Sequence, residues 1–210
     1  MLELLADSGS PMTSVDVAQA FKLHRSVAYR LLHTLEGHHL VVSEPDGRFA
    51  PGPGLVALAR SVQHDVRSLA HPVLVDLATR TGATATLGMA EDGQVILIRS
   101  FQSATDRLQV SLREGLRRPL NHGSPGLAIL SGRPALPGER EDVTEGRQRG
   151  FVRTAAELES GVVGISAPVI TSAPIRYSVT AVFLAGQIGD EDAAAREVVN
   201  AARTLGRLLS

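Results

Sequence analysis

"HRSVAYRLLHTLE", residues 24–36, is the stretch whose reading decides the fold. Ala28, Leu31, Leu32 and Leu35 recur at the spacing of one helical face. Arg25, Ser26, Tyr29, Arg30 and His33 fall on the other side. Between Asp16 and Glu36 the chain has no acid, whereas Lys22, Arg25 and Arg30 are basic. A helix that reads duplex DNA needs such a face. Arginine supplies charge and bidentate contacts to guanine, hydroxyls bond phosphates, and small apolar groups touch thymine methyls. His24, Arg25, Ser26, Tyr29 and Arg30 offer that set. Taken alone, the helix fits an ordinary solvated face as well; its neighbours favour DNA.

Upstream, "TSVDVAQAF" (13–21) reads as a helix capped by Thr13 or Ser14, with Asp16 in its first turn and Val17, Ala18 and Phe21 as its apolar face. A shorter helix precedes it over 2–8. Downstream, the recognition stretch should end near Gly37, and "LVVSEPDGRFAPG" sets strand residues on both sides of a Pro-Asp-Gly turn. Short helices followed by a hairpin are the order of a winged helix-turn-helix, here 1–52. Ser14 and Arg48 join the candidate DNA-facing residues. Arg48 either reaches a phosphate or the minor groove from the wing or is simply an exposed hairpin residue.

A helical period through Leu55, Leu58, Ala59, Val62, Val66 and Leu69 predicts a linker helix over 53–68, or else another core helix, and Pro72 is expected to open the next helix, ending at Gly82. The period then changes to two. "TATLGMA", "EDG" and "QVILIRSF" make a hairpin, and "RLQVSLR" (107–113) alternates as a strand. "SPGLAIL" (124–130) reads as a helix with Ser124 as cap and Pro125 first. Residues 132–150 read as loop with a short helix, "VVGISAPVI" and "IRYSVTAVFL" as strands, and "DEDAAAREVVNAARTLGRLL" as a closing amphipathic helix with acids first and arginines last. The fold class is therefore α+β: a winged helix-turn-helix, a linker helix, and a domain over 69–210 with a largely antiparallel sheet.

Composition excludes other classes. The net charge is −1, so any DNA affinity must come from a local patch. There is no cysteine, hence no disulfide or thiolate chemistry, which fits a cytoplasmic protein. No apolar run approaches a membrane span, and "MLELLADSGSPM" lacks the basic and apolar regions of a signal peptide. An apolar pattern is already running at Leu2, so the first helix is expected to start early or to be truncated. "HGSPG" (122–126) has His122 where a nucleophile elbow needs glycine, and His122 beside Ser124 reads as a loop residue rather than a catalytic base. His38–His39 lacks further ligands for a metal. No catalytic residue, metal or cofactor is expected.

The chain resembles the IclR family of transcription regulators over nearly its whole length. The resemblance rests on "S-x-x-x-R-L-L-x-T-L-E" within the opening stretch, on "L-V-x-x-x-x-D-G-R-F-x-x-G-P" and the helix after it, and on "REGLRRPLNHGSPGLAIL", "RQRGFV" and "GVVGISAPV". It implies a dimer or tetramer on a near-palindromic operator of double-stranded DNA, a GAF-like effector domain, and a small organic effector. It also implies that Arg25, Ser26, Val27, Tyr29 and Arg30 face DNA; Val27 departs from the hydroxyl residue common there. The effector would lie between the sheet and the helix at "NHGSPG", whose free amides favour an anion. The candidate ligand residues are Leu87, Met89, Gly123, Ser124, Gly126, Gly164, Phe183 and Ala185. Leu127 replaces a family lysine, Gly164 a cysteine, and Phe183 and Ala185 two serines. With those polar groups gone, the expected ligand is more apolar than a small acid, or Phe183 fills the site and nothing binds.

Overall fold

A computed structural model describes residues 1–61, 64–103 and 108–210, without the side chains of 59–61, 64 and 65. The chain forms two compact units, Met1–His64 and Asp65–Ser210.

The first unit packs α1 (Leu2–Asp7), α2 (Ser14–Ala20) and α3 (Arg25–Gly37) against a three-stranded antiparallel wing in the order β1 (Met12–Thr13), β3 (Arg48–Pro51), β2 (Val41–Ser43). Leu5, Val17, Ala18, Ala28, Leu32, Val41 and Phe49 form its core. Thr13 caps α2: its hydroxyl accepts from the Asp16 amide at 3.2 Å, and the Asp16 carboxylate accepts the Thr13 amide at 2.9 Å. The Thr13 donors hold the Asp16 carboxyl below its usual range. Two expected core residues, Phe21 and Leu31, are instead exposed.

The ends of α2 and α3 are built alike. After α2, the Leu23 amide reaches back to the Ala18 carbonyl (2.9 Å) and Lys22 to Gln19 (3.1 Å), with Lys22 left-handed at φ 53. After α3, Leu40 bonds Leu35 (2.9 Å) and His39 bonds Glu36 (2.8 Å), with His39 left-handed at φ 59. Both are Schellman stops, which normally select glycine at the left-handed position. α3 ends at Gly37, as the sequence predicts, but the left-handed residue of its stop is His39 and not the glycine. Gly52 and Gly54 pass so close to the His39 carbonyl that a Cβ on either would overlap it, and their amides bond Leu40 and His39.

α4 (Gly54–Ser61) and α5 (His64–Thr81) follow. The expected linker helix includes residues 62 and 63, which lie outside the described residues. Pro72 does not open a helix; α5 runs through it. Ala70 precedes it and Val73, Leu74, Leu77 and Ala78 follow it into one core, which holds the helix together despite the missing amide.

The second unit is a six-stranded antiparallel sheet in the order β6 (Arg117–Pro119), β5 (Gln94–Gln102), β4 (Thr84–Glu91), β9 (Tyr177–Leu184), β8 (Val162–Val169), β7 (Val152–Ala155). Asp92 (φ 47) and Gly93 (φ 74) turn the β4–β5 hairpin. α5 and α8 (Glu191–Leu209, capped by Asp190) cover one face, where Ala85, Leu87, Ile165, Ala167, Val179, Ala181 and Phe183 meet Leu74, Leu77, Val198 and Leu205. α6 (Ser124–Gly132) and α7 (Glu141–Arg149) take part in smaller clusters on the other face, with Val152 and with Val95 and Ala90. The alternating segment expected as a strand over 107–113 forms none. Arg107 lies outside the described residues, and 108–113 is irregular, with the Val110 carbonyl accepting from the hydroxyl of Thr84 (2.7 Å) and the amide of Gln102 (3.2 Å). The short strands β1, β6 and β7 carried no periodic signal of their own.

Leu87→Ala is expected to destabilise the sheet unit by about 3 kcal/mol, read as a fall in the urea midpoint of the strand signal in circular dichroism. A change below about 0.5 kcal/mol, the size of an ordinary surface substitution, would mean that Leu87 is not a core residue.

Candidate nucleic-acid interface and ligand cavity

His24 caps α3 with its ring: Nδ1 accepts from the Ser26 amide at 3.4 Å and lies 2.8 Å from the Ser26 hydroxyl. Arg25, Ser26, Tyr29 and Arg30 are exposed, and Val27 is half-buried beside them. Among the described residues neither Arg25 nor Arg30 has an acidic partner. The two guanidiniums are therefore available to an external anion. His33, on the same side by sequence, is tied inward. Its Nδ1 is 2.7 Å from the Glu36 carboxylate, and its ring contacts Tyr29 and Phe49 edge-on. Glu36 in turn accepts the Ser43 amide (3.2 Å) and hydroxyl. Those donors, the Ser43 hydroxyl first and then His33, keep the Glu36 carboxyl below its ordinary range, so a charged link joins α3 to the wing. The Glu36 network was not legible as such, because it pairs residues seven apart across a turn.

Arg48 stands in the wing and pairs with Asp46 at 3.1 Å, both half-exposed. Such a pair is weak and a phosphate can compete for the arginine. Ser14 does not join this face: it is buried at the first position of α2, because Thr13 takes the cap.

In the second unit a cavity of about 100 Å³ opens between the sheet and the start of α6. That is room for several waters or one small organic molecule. Thr86, Gly88, Val95, Leu97, Gly164, Thr180 and Val182 form its sheet wall; Ser124 and Pro125 come from α6, and Val110, Leu112 and Leu158 from the irregular segments. Arg118, Glu157 and Glu159 stand among its lining residues.

Of the expected ligand residues only Ser124 and Gly164 line this cavity. Leu87 and Phe183 lie on the opposite sheet face, in the core under α5 and α8. Met89 shares the strand parity of Leu87, and Ala185 is exposed in the turn that follows β9. Phe183 therefore does not fill the cavity. Gly123 and Gly126 frame the helix start without lining the space: a Cβ on Gly123 would come 2.5 Å from Leu158, and one on Gly126 would overlap the Leu120 carbonyl. Leu127 is fully buried in the small core with Val143 and Val152. Ser124 is not a cap. Gly123 is the N-cap, and the Ser124 amide, expected to be free for an anion, donates to Thr154 Oγ1 at 3.1 Å.

The residues missed from the sequence lie on the other face of the same strands. Thr86 lines the cavity next to Leu87 and Val182 next to Phe183, and the hydroxyl of Thr180 lies further back on the same strand. Ser166 Oγ sits 2.8 Å from both Ser124 Oγ and Thr180 Oγ1, all three buried. His122 faces Glu157, with Nδ1 3.0 Å from its carboxylate and Nε2 3.1 Å from its carbonyl oxygen, so it is not set against Ser124. Arg140 bonds Glu157 (2.5 Å) and Asp142 (2.6 Å), which raises its already high pKa, Glu157 contributing most. Among the described residues no helix is long and apolar enough to cross a membrane.

Comparison with known proteins agrees with this architecture. The model of the IclR helix-turn-helix domain matches residues 1–45, and that of the bacterial transcriptional regulator IclR C-terminal domain matches 59–141. The chain is 29% identical to the glycerol operon regulatory protein of Streptomyces griseus, over all of this chain and 92% of that protein. Among solved structures it is similar to an IclR transcriptional regulator from Alicyclobacillus acidocaldarius, with TM-score 0.83 and 22% identity over 95% of this chain and 91% of that one. It is also similar to an IclR homologue from Microbacterium hydrocarbonoxydans complexed with 4-hydroxybenzoate, with TM-score 0.79 and 18% identity over 95% and 92%. With a winged helix-turn-helix followed by a sheet-built domain, and with models of both domains matching in order, the chain belongs to the IclR family of DNA-binding transcription regulators.

Proposed function

We propose that the chain is a cytoplasmic repressor that binds a near-palindromic operator as a dimer or tetramer, and that a small organic molecule in the cavity of its second unit changes its affinity for DNA. The observation that carries the DNA reading is the exposed pair Arg25 and Arg30 on α3, without acidic partners among the described residues. Tyr29, Ser26 and His24 stand beside them, and Arg48 stands on the wing. In this reading α3 enters the major groove with its N-terminal residues at the base edges, and symmetry places a second copy about one helical turn away. Val27, half-buried next to Arg25, is suited to a thymine methyl.

The regulatory reading rests on the cavity. Its lining is mostly apolar with a few hydroxyls, as small-molecule sites are. A relative of the same fold has been captured with 4-hydroxybenzoate, so an organic effector fits the family resemblance. The mechanism is a population shift: a ligand that favours one arrangement of the DNA-binding units over another changes operator affinity by its preference between them. The proposed organisation is a DNA-binding domain at 1–52, a linker helix at 53–68 and a sensor and oligomerisation domain at 69–210.

Selection of duplexes from a random pool by the purified chain tests the DNA reading. It should enrich one palindrome, and Arg25→Ala should abolish the enrichment. Against that palindrome, Arg30→Ala should weaken binding to all sequences alike and lower the slope of log affinity against log salt by about one. No enrichment, with an unchanged slope in Arg30→Ala, would remove α3 as the reader.

A further inference from the structure

The hydroxyls of the cavity fix the polarity of what it can hold. Ser166 Oγ donates to Ser124 Oγ at 2.8 Å and lies 2.8 Å from Thr180 Oγ1. A serine hydroxyl has one hydrogen, so Thr180 must be the donor to Ser166. The relay runs from Thr180 through Ser166 to Ser124 and ends in the Ser124 hydrogen. Among the described residues no group accepts that hydrogen, and Ser124 lines the cavity. Each step polarises the next, which strengthens the final donor. Beside it, Thr154 Oγ1 accepts the Ser124 amide at 3.1 Å, and its own hydrogen is left for the cavity. Both hydroxyls flank Gly164: a Cβ there would overlap Ser124 Oγ and lie 3.9 Å from Thr154 Oγ1. The missing side chain at 164 is thus the space in which the terminal donor sits, not a lost polar group.

The charges at the cavity are matched among themselves. Arg118 pairs with Glu159 at 3.3 Å, and Arg140 with Glu157 and Asp142. Glu157 also meets His122. An entering carboxylate would lose its hydration, would have to compete with Glu159 for Arg118, and would face two glutamates. Of the first amides of α6, that of Ser124 is spent on Thr154, Pro125 has none, and that of Leu127 bonds the Gly123 carbonyl. An ammonium group fails for the opposite reason: it has no lone pair to accept from Ser124 and Thr154.

We infer that the cavity binds an uncharged organic molecule with an apolar body and one acceptor oxygen, a carbonyl or an alcohol, seated on the hydroxyls of Ser124 and Thr154. This rests on the proposed effector role of the cavity and names the chemistry of its ligand. The apolar body lies against Leu97, Val110, Leu112 and Val182. Ser166 touches no ligand and acts as a positioning residue through Ser124.

Calorimetric titration of the full chain with matched series tests it. Each series keeps one body (propyl, phenyl or phenethyl) and varies the head: primary amide, alcohol, carboxylate, ammonium or plain hydrocarbon. In at least one series the amide or alcohol should bind at least tenfold tighter than its charged counterparts. Ser124→Ala should weaken that neutral ligand about tenfold, the loss of one buried hydrogen bond, and leave the hydrocarbon unchanged. Ser166→Ala should weaken it less, in the same head-dependent manner. Tighter binding of a carboxylate or ammonium overturns the inference, as does an amide indifferent to Ser124→Ala, or no neutral binding at millimolar concentration. In each of those cases operator selection by the same protein still decides the regulator reading separately.

Discussion

The alternation of side chains across one antiparallel sheet governs the second unit. On β4, β8 and β9 one set of alternate residues is apolar (Leu87, Ile165, Ala167, Val179, Phe183) and is sealed under α5 and α8. The other set is small or hydroxylated: Thr86, Gly88, Gly164, Ser166, Ser178, Thr180. The first face supplies the hydrophobic stabilisation. The second cannot pack as densely, because its residues are small, and α6 covers only part of it. The cavity is what remains. The hydroxyls of Ser124, Ser166 and Thr180 are tolerated in a buried place because they bond one another, whereas Ser178 Oγ, on the same sheet face, is buried with no partner among the described residues.

The first unit depends on backbone turns rather than on a large core. Two Schellman stops set where α2 and α3 end, and each places a non-glycine residue in the left-handed region. The first sets the angle at which α3 leaves α2; the second returns the chain into β2. The Gly-Pro-Gly segment after β3 then lies against the second stop at a distance only glycine allows. The Glu36–Ser43 link ties the same helix to the wing from the side. α3 and the wing are therefore positioned by the same few residues, as the proposed joint contact of both with one duplex requires.

Much of this was legible. The change of period from 3.6 to 2 after Gly82 located the sheet, the Pro-Asp-Gly and Glu-Asp-Gly turns located two hairpins, and the acid-free run from Val17 to Leu35 singled out α3, the proposed reader. The face of the sheet was not. The strands β4 and β9 are buried on both sides, so Leu87 and Thr86 look equally interior, and a shift of one position exchanges core for cavity. The loss of polar groups at 164, 183 and 185 suggested an apolar pocket, but Phe183 belongs to the other face and Ala185 to the exposed turn after β9. Lys22 and His39 gave no sign of their turns, since glycine is the usual signal. Residues 108–113 alternate like a strand, but the side chains of Thr84 and Gln102, not a ladder, take the Val110 carbonyl.

The direct measurement is operator affinity in a chain whose cavity is filled by its own side chain. Leu112 lines the cavity from an irregular segment, where a larger residue disturbs no ladder, and Leu112→Trp would occupy the space a ligand takes. Fluorescence anisotropy on the selected operator should then show an affinity at least fivefold different from that of the parent chain, the lower end of ordinary allosteric coupling, at an unchanged melting temperature. Equal operator affinities in the two folded proteins would contradict any coupling between the cavity and the DNA-reading helix.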